Sequence, residues 1–414
     1  MTLGQTSILS FIATAIKLVA ALVINKAVAI YIGPSGLALI GQFQNFTTLA
    51  MTTAKGAINT GVTKYTAEYG KDNPKIPVLF STASKISLVS SVVVAVSIII
   101  FSQYVSLYVL KSDQYGYIIT IFGFTVILFV INNLLLSILN GLKEIKTFIT
   151  INIIQSIYSL IFTTLLIVWL GLDGALIALV TNQSIIFLVV LWMLRKHDLI
   201  KLDNFKAEFD KSEAKKLAAF ALMALTSVVT VPVSHLVVRN YIGENFSWEQ
   251  AGYWQAIWFI STMSLMVVTT TLSVYYLPKL SELTDKIELR KELKQGYKIV
   301  MTIVLVMSVA IFLLKDFIIG LLFTEEFMPM RELFLWQLVG GIIKISAFLL
   351  SYLMLAKSMT KAFIGTEIGF SISFVLLSIM FVDQYGLIGM TYSFTVNYSL
   401  YLMAMIILTR RELY

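Results

Sequence analysis

The sequence predicts an all-α polytopic membrane protein: about twelve transmembrane helices in two six-helix lobes with a cavity between them. Three observations predict it. The 414 residues are 58% apolar and only 13% charged, far outside the range of a soluble domain. Apolar runs long enough to cross a bilayer recur along the chain, separated by short turn-forming and basic segments. A weak internal repeat divides the chain in the middle.

The first element is 8–32, an apolar run that no proline or glycine interrupts before Gly33-Pro34. It is too long, and too poor in basic residues at its start, for a cleavable signal, and it reads as the first transmembrane helix. Eleven further spans follow, near 36–64, 78–109, 116–142, 147–170, 174–195, 214–241, 249–279, 294–316, 331–357, 362–382 and 387–409. Turn signals punctuate them at Asn73-Pro74, Gly141, Gly171 with Gly174, Gly243, Pro329 and Gly386.

Lysine and arginine set the expected orientation. Alternate loops and the C-terminal end hold 22 of these residues, from Lys64 to Arg411; the other loops hold 4, at Lys111, Arg239, Lys315 and Arg331. The first set is expected to be cytoplasmic, with both termini inside a bacterial inner membrane. The domains then read as an N-terminal lobe 1–196, a charged cytoplasmic linker 197–213 and a C-terminal lobe 214–414. Helices beginning at Gly36 and Gly252 end in basic stretches after Lys64 and Lys279, and an offset near 215 relates the two halves. Parallel repeats of this kind place a substrate between the lobes.

The remaining charges lie inside spans, where each costs about 2.5–3.5 kcal/mol at the bilayer centre and therefore needs an anion, a partner or water. At about 1.5 Å per residue, Lys55, Lys85 and Glu367 fall roughly 10–13 Å inside the cytoplasmic boundary. Lys17 and Lys344 fall near mid-membrane, and Lys26 and Arg239 toward the outer face. Six cations against one deep carboxylate cannot all be neutralised by pairing, so the row suits an anionic headgroup, a pyrophosphate in particular. The competing reading for Lys17 and Lys26 is a stem laid in lipid with the ammonium at the headgroups. His235 and Arg239 share a helix face at i, i+4 just after Pro232, which marks a kink and a candidate gate. Asparagines and glutamines at 132, 133, 140, 152, 155, 182 and 183 read as hydrogen bonds between helices. Trp248, Trp254, Trp258 and Trp336 read first as interfacial anchors and second as sugar-stacking rings.

Several classes are excluded or disfavoured. With no cysteine and two histidines there is no disulfide, no thiolate metal site and no paired histidine motif, so neither metal nor cofactor is expected. The net charge of +8 is accounted for by topology rather than by nucleic acid. A membrane glycosyltransferase or polymerase would want large outward loops, which are missing. A drug or cation exporter would want buried carboxylates, whereas this chain has buried cations.

Four stretches carry a family resemblance: Asn59-Thr60-Gly61-Val62-Thr63-Lys64-Tyr65, Leu222-Met223-Ala224-Leu225-Thr226-Ser227-Val228, Ser273-Val274-Tyr275-Tyr276-Leu277-Pro278-Lys279-Leu280-Ser281, and Met330-Arg331-Glu332-Leu333-Phe334-Leu335-Trp336-Gln337-Leu338-Val339-Gly340. With them the chain resembles the Wzx-type flippases of the multidrug/oligosaccharidyl-lipid/polysaccharide exporter superfamily, over nearly its whole length. The resemblance implies a non-enzymatic flippase of undecaprenyl-pyrophosphate-linked oligosaccharide, moving it from the cytoplasmic to the periplasmic leaflet by ion-coupled alternating access. It implies membrane lipids, a glycan polymerase and a chain-length regulator as partners. Lys17, Lys26, Arg239, Lys344 and Glu367 stand where that family also carries charge; Lys55 and His235 depart from its pattern. The expected substrate-binding set is Lys17, Lys26, Lys55, Lys85, Arg239 and Lys344, with Glu367, His235 and Pro232 in coupling or gating.

Overall fold

The computed structural model describes residues 3–195, 200–272, 276, 279–280, 283, 285–357 and 359–413. Among them the regular structure is all helix, with no strand. The first half holds α1 (Leu3–Tyr31), α2 (Gly33–Ala54), α3 (Asn59–Tyr69), α4 (Lys75–Ile100), α5 (Ser102–Leu110) and α6 (Gly116–Gly141). The helical stretch Ile145–Leu194 then breaks at Gly171, whose φ of 56° and ψ of −126° are not helical, into α7 (145–170) and α8 (172–194). The second half holds α9 (Lys211–Asn245), α10 (Trp248–Thr271), α11 (Lys286–Leu313), α12 (Lys315–Leu322), α13 (Phe334–Ala356), α14 (Thr360–Tyr385) and α15 (Gly389–Leu413). Twelve of these fifteen described helices have 22 residues or more, the exceptions being α3, α5 and α12.

The chain divides into two compact units: 1–32 with 39–232, and 33–38 with 233–414. The division falls inside α9, between Pro232 and Val233. In the first unit α6 packs against α4 and the α7–α8 hairpin, and α1 lies on that hairpin. Its core runs through Val62, Leu79, Phe80, Ile138 and Leu217. In the second, α13 packs on α15 and α11, and α15 on α14, around Leu272, Leu293, Leu349, Leu353 and Met405. The outward faces are as apolar as the cores: Val89, Ile100, Leu313 and Ile407 are 64%, 69%, 74% and 69% exposed. Helices that pair all backbone groups internally and show apolar side chains outward are what a bilayer requires. Seven described segments are long and apolar enough to cross one, and two of these, Ile145–Leu194 and Thr360–Arg410, turn back at Gly171 and Gly386. The chain is thus an all-α, multi-pass membrane protein.

The repeat is visible in the turns. Gly171 and Gly386 both take positive φ, 56° and 67°, at equivalent points 215 residues apart. Three residues on, a Cβ on Gly174 would lie 1.9 Å from the Leu166 carbonyl oxygen, and one on Gly389 2.1 Å from that of Phe381. Only glycine permits both the left-handed turn and the close return of the next helix.

Two expected spans are interrupted. The segment 36–64 is not one helix: α2 ends at Ala54, and Gly56 and Ala57 take φ of 63° and 52° before α3 begins. The segment 78–109 is broken at Phe101 between α4 and α5. The basic end of α3 is tied to the start of α9. Glu213, 5% exposed, accepts a hydrogen bond from Tyr69 Oη at 2.9 Å and from Lys216 Nζ at 2.8 Å. The Lys216 ammonium also lies 5.7 Å and 5.5 Å from the Tyr65 and Tyr69 ring centres.

Candidate functional site

The second unit gathers its intramembrane charges around two tryptophans. Ser247 caps α10, its Oγ accepting from Gln250 N at 3.1 Å. From there Trp254 and Trp258, at i, i+4, project from one face of the helix. His235 and Arg239, also at i, i+4, meet that face from α9. The His235 ring is 5.2 Å from Trp254 and 4.3 Å, edge-on, from Trp258. Arg239, 1% exposed, lies over Trp254 at 5.3 Å and donates from Nη2 to Gln255 Oε1. This part of α9 is held to α14 at two levels, by the Ser234 and Ser371 hydroxyls 2.5 Å apart and by Tyr241, which donates to Asp383.

Lys344 enters from α13. Its ammonium is surrounded by four rings: Trp258 at 5.2 Å, Phe348 at 5.3 Å, Phe394 at 5.9 Å and Tyr398 at 5.3 Å. One turn earlier, Gly340 has no side chain, and a Cβ there would be 2.3 Å from Phe394; its absence lets α15 bring Phe394 and Tyr398 onto α13. Ring faces attract a cation by about 0.5–2 kcal/mol each without neutralising it. Beside it is a cavity of about 110 Å³ lined by Trp258, Ser261, Thr262, Leu265, Met266, Thr269 and Lys344. One helix, α10, contributes the hydroxyls of Ser261, Thr262 and Thr269 together with apolar Leu265 and Met266, and α13 contributes the cation.

Glu367 on α14 lies one tyrosine away. The Tyr401 hydroxyl is 3.1 Å from Glu367 Oε1 and 3.3 Å from Ser351 Oγ, and the Tyr401 ring is 6.0 Å from that of Tyr398. Aromatic contacts and one hydroxyl therefore connect His235, Arg239, Lys344 and Glu367 in a single cluster.

The other expected residues lie in the first unit. Lys17 is exposed on α1 and Lys26 half-buried. Lys55 closes α2 at the break, 5.6 Å from the Phe129 ring. Lys85 is exposed and donates to the Ala207 carbonyl at 2.8 Å. Pro232 is buried within α9.

Sequence reasoning missed Gln255, Phe348, Phe394, Tyr398 and Tyr401, and Phe374 on α14, whose ring lies 6.0 Å from that of His235. For Phe394 and Tyr398, and for Phe348 four residues after Lys344, the signal was the i, i+4 spacing; Gln255 and Tyr401 gave none. Trp254, first read as an interfacial anchor, is 1% exposed and belongs to the cluster. Of the amides, Asn182 behaves as expected: it bonds Ser159 across the α7–α8 hairpin. Asn133 bonds Phe129 O at 3.0 Å within its own helix as well as Gln183 at 3.3 Å.

Comparison with known proteins agrees with this architecture. The lipid III flippases of Escherichia coli (strain K12) and Shigella flexneri are each 29% identical to this chain over 401 residues, covering 97% of it and 96% of their own length. Among solved structures, an inward-facing multidrug resistance MATE family transporter superposes with a TM-score of 0.80 at 14% identity, over 96% of this chain and 94% of that one. The lipid II flippase MurJ, in an inward closed conformation, gives 0.74 at 16% identity, over 98% and 87%. Both share the fold. The model of the polysaccharide biosynthesis protein family matches residues 48–332, more than half of the chain. The chain belongs to that polysaccharide biosynthesis family.

Proposed function

We propose that this chain is a flippase, a transporter and not an enzyme, that carries a lipid-linked oligosaccharide across a bacterial inner membrane. The observation that carries the reading is the pair Arg239 and Lys344 among aromatic rings, Arg239 buried against Trp254 and Lys344 half-buried and lining a small, half-polar cavity. Cations held inside a membrane bundle mark an anion pathway, and a pyrophosphate-linked sugar supplies the anion together with a ring face for Trp258, which lines the cavity. The flippase relatives, matched over nearly their whole length, support it.

In finer terms, undecaprenyl pyrophosphate is the carrier and movement runs from the cytoplasmic to the periplasmic leaflet, with both termini inside. Arg239 and Lys344 hold the headgroup, and Lys17, Lys26, Lys55 and Lys85 extend positive charge over other depths. Pro232, where the two compact units divide, takes up the bending of α9 as access alternates. Glu367, with His235, carries the coupling ion. A glycan polymerase then consumes the delivered substrate.

The test is complementation of a bacterium lacking its own flippase for one lipid-linked oligosaccharide. Restored surface glycan supports the reading. Glycan that stays inside the cell contradicts it. Chain growth on the lipid in purified vesicles would identify an enzyme, and resistance to cationic drugs without glycan export would identify a cation exporter.

A further inference from the structure

A second cavity, of about 350 Å³, lies wholly within the first unit, between α4, α6 and α8. It is lined by Leu134 and Leu135 from α6, Phe187 and Leu191 from α8 and Leu88 from α4, with Ser84 and Ser87 as its few polar groups. Its floor is the segment 200–210, which contributes Ile200 and Phe205. That floor is fixed. Phe205 stacks on Phe80 at 5.8 Å, Ser81 Oγ and Lys85 Nζ donate to the Ala207 carbonyl at 2.5 Å and 2.8 Å, and Asp210 N donates to Thr82 Oγ1 at 3.1 Å.

Three features define the occupant. The rim residues Leu88 and Leu191 are 50% and 52% exposed on the apolar outer face, so the cavity opens sideways toward acyl chains rather than toward water. Phe187 to Arg195 is eight residues, so the hollow runs about 12 Å along α8. At its basic end the lining includes exposed Arg195, whose guanidinium is held 4.7 Å from the Trp192 ring centre and makes no ion pair among the described residues. An apolar pocket between membrane helices that ends on a single arginine offers that arginine to a lipid phosphate. A volume at the low end of the ~300–1,000 Å³ of ligand sites takes one chain and not a long polyprenyl tail.

We propose that this cavity is a binding site for an anionic phospholipid, with one acyl chain between α4, α6 and α8 and its phosphate on Arg195. The site is independent of the substrate reading above. The lipid fills the hollow that the 200–210 segment closes and so holds that segment on α4.

The experiment uses the full chain in nanodiscs of phosphatidylethanolamine containing a phosphatidylglycerol with a photoactivatable acyl chain. Labelling is expected in peptides holding residues 84–88 and 187–195. It should fall at least fivefold in Leu134→Trp, which fills the cavity, and in the surface variant Arg195→Gln, which keeps the cavity and removes the charge. Equal labelling in Arg195→Gln, or equal labelling by a phosphatidylethanolamine probe, overturns the proposal. So does competition by undecaprenyl phosphate at concentrations where phosphatidylglycerol does not compete, which would give the hollow to the carrier lipid.

Discussion

Tyr398 and Tyr401 stand between Lys344 and Glu367. The ammonium is bounded by rings that cannot accept its protons, while the carboxylate has the Tyr401 hydroxyl at 3.1 Å. Replacing Glu367 by glutamine keeps an acceptor for that hydroxyl and removes the titratable group. If Glu367 carries the coupling proton, transport by Glu367→Gln loses its dependence on pH while the protein stays folded; an unchanged pH profile removes Glu367 from coupling. Tyr401→Phe breaks the link without removing either charged side chain, and a hydrogen bond to a charged group is worth about 1.5–3 kcal/mol, so a fall in rate of about tenfold or more is expected. The charged residues were legible because a lysine or arginine in an apolar run has a large cost to offset. Their ring surroundings were not, since Trp258, Phe394 and Tyr398 lie on helices that mix aromatic, aliphatic and small polar residues around their circumference, and only tertiary packing selects the face.

The helical hairpins α7–α8 and α14–α15 show what an element owes to two glycines. Alanine at Gly174 would put a Cβ 1.9 Å from a backbone carbonyl that cannot move without opening the hairpin. Gly174→Ala and Gly389→Ala are expected to destabilise by about 2 kcal/mol or more, as overpacked positions do, and to lower the yield of folded protein and its thermal midpoint in detergent. Gly369→Ala is the control: a Cβ there meets nothing within 4 Å, and helix propensity favours alanine by about 1 kcal/mol. If the three variants melt alike, the close-approach account fails. Gly171 and Gly386 announced their turns because glycine between apolar runs is a strong local signal. The break after Ala54 was hidden, because Ala57 is an ordinary helix former forced into the left-handed region by its surroundings.

At the scale of the molecule, hydropathy alone gave the class, and turn glycines 215 residues apart carried the repeat into three dimensions. The division of the units inside α9 was not legible, since the charged stretch 197–213 draws the eye and Pro232 lies 19 residues beyond it. Orientation is open to direct measurement because the chain has no cysteine. Single cysteines at Lys201 and Lys146 should be labelled by an impermeant thiol reagent only after the inner membrane is opened, and those at Lys111 and Asp113 in intact spheroplasts. The reverse pattern would invert the proposed topology. The claim beneath all of this is that Arg239 and Lys344 hold the phosphorylated headgroup of a moving lipid. Translocation of a fluorescent lipid-linked oligosaccharide in proteoliposomes tests it most directly. Charge-assisted hydrogen bonds are worth about 1.5–3 kcal/mol each, so Arg239→Gln and Lys344→Gln, reconstituted in folded form, should each be slower by about tenfold or more. Wild-type rates in both variants would contradict the account.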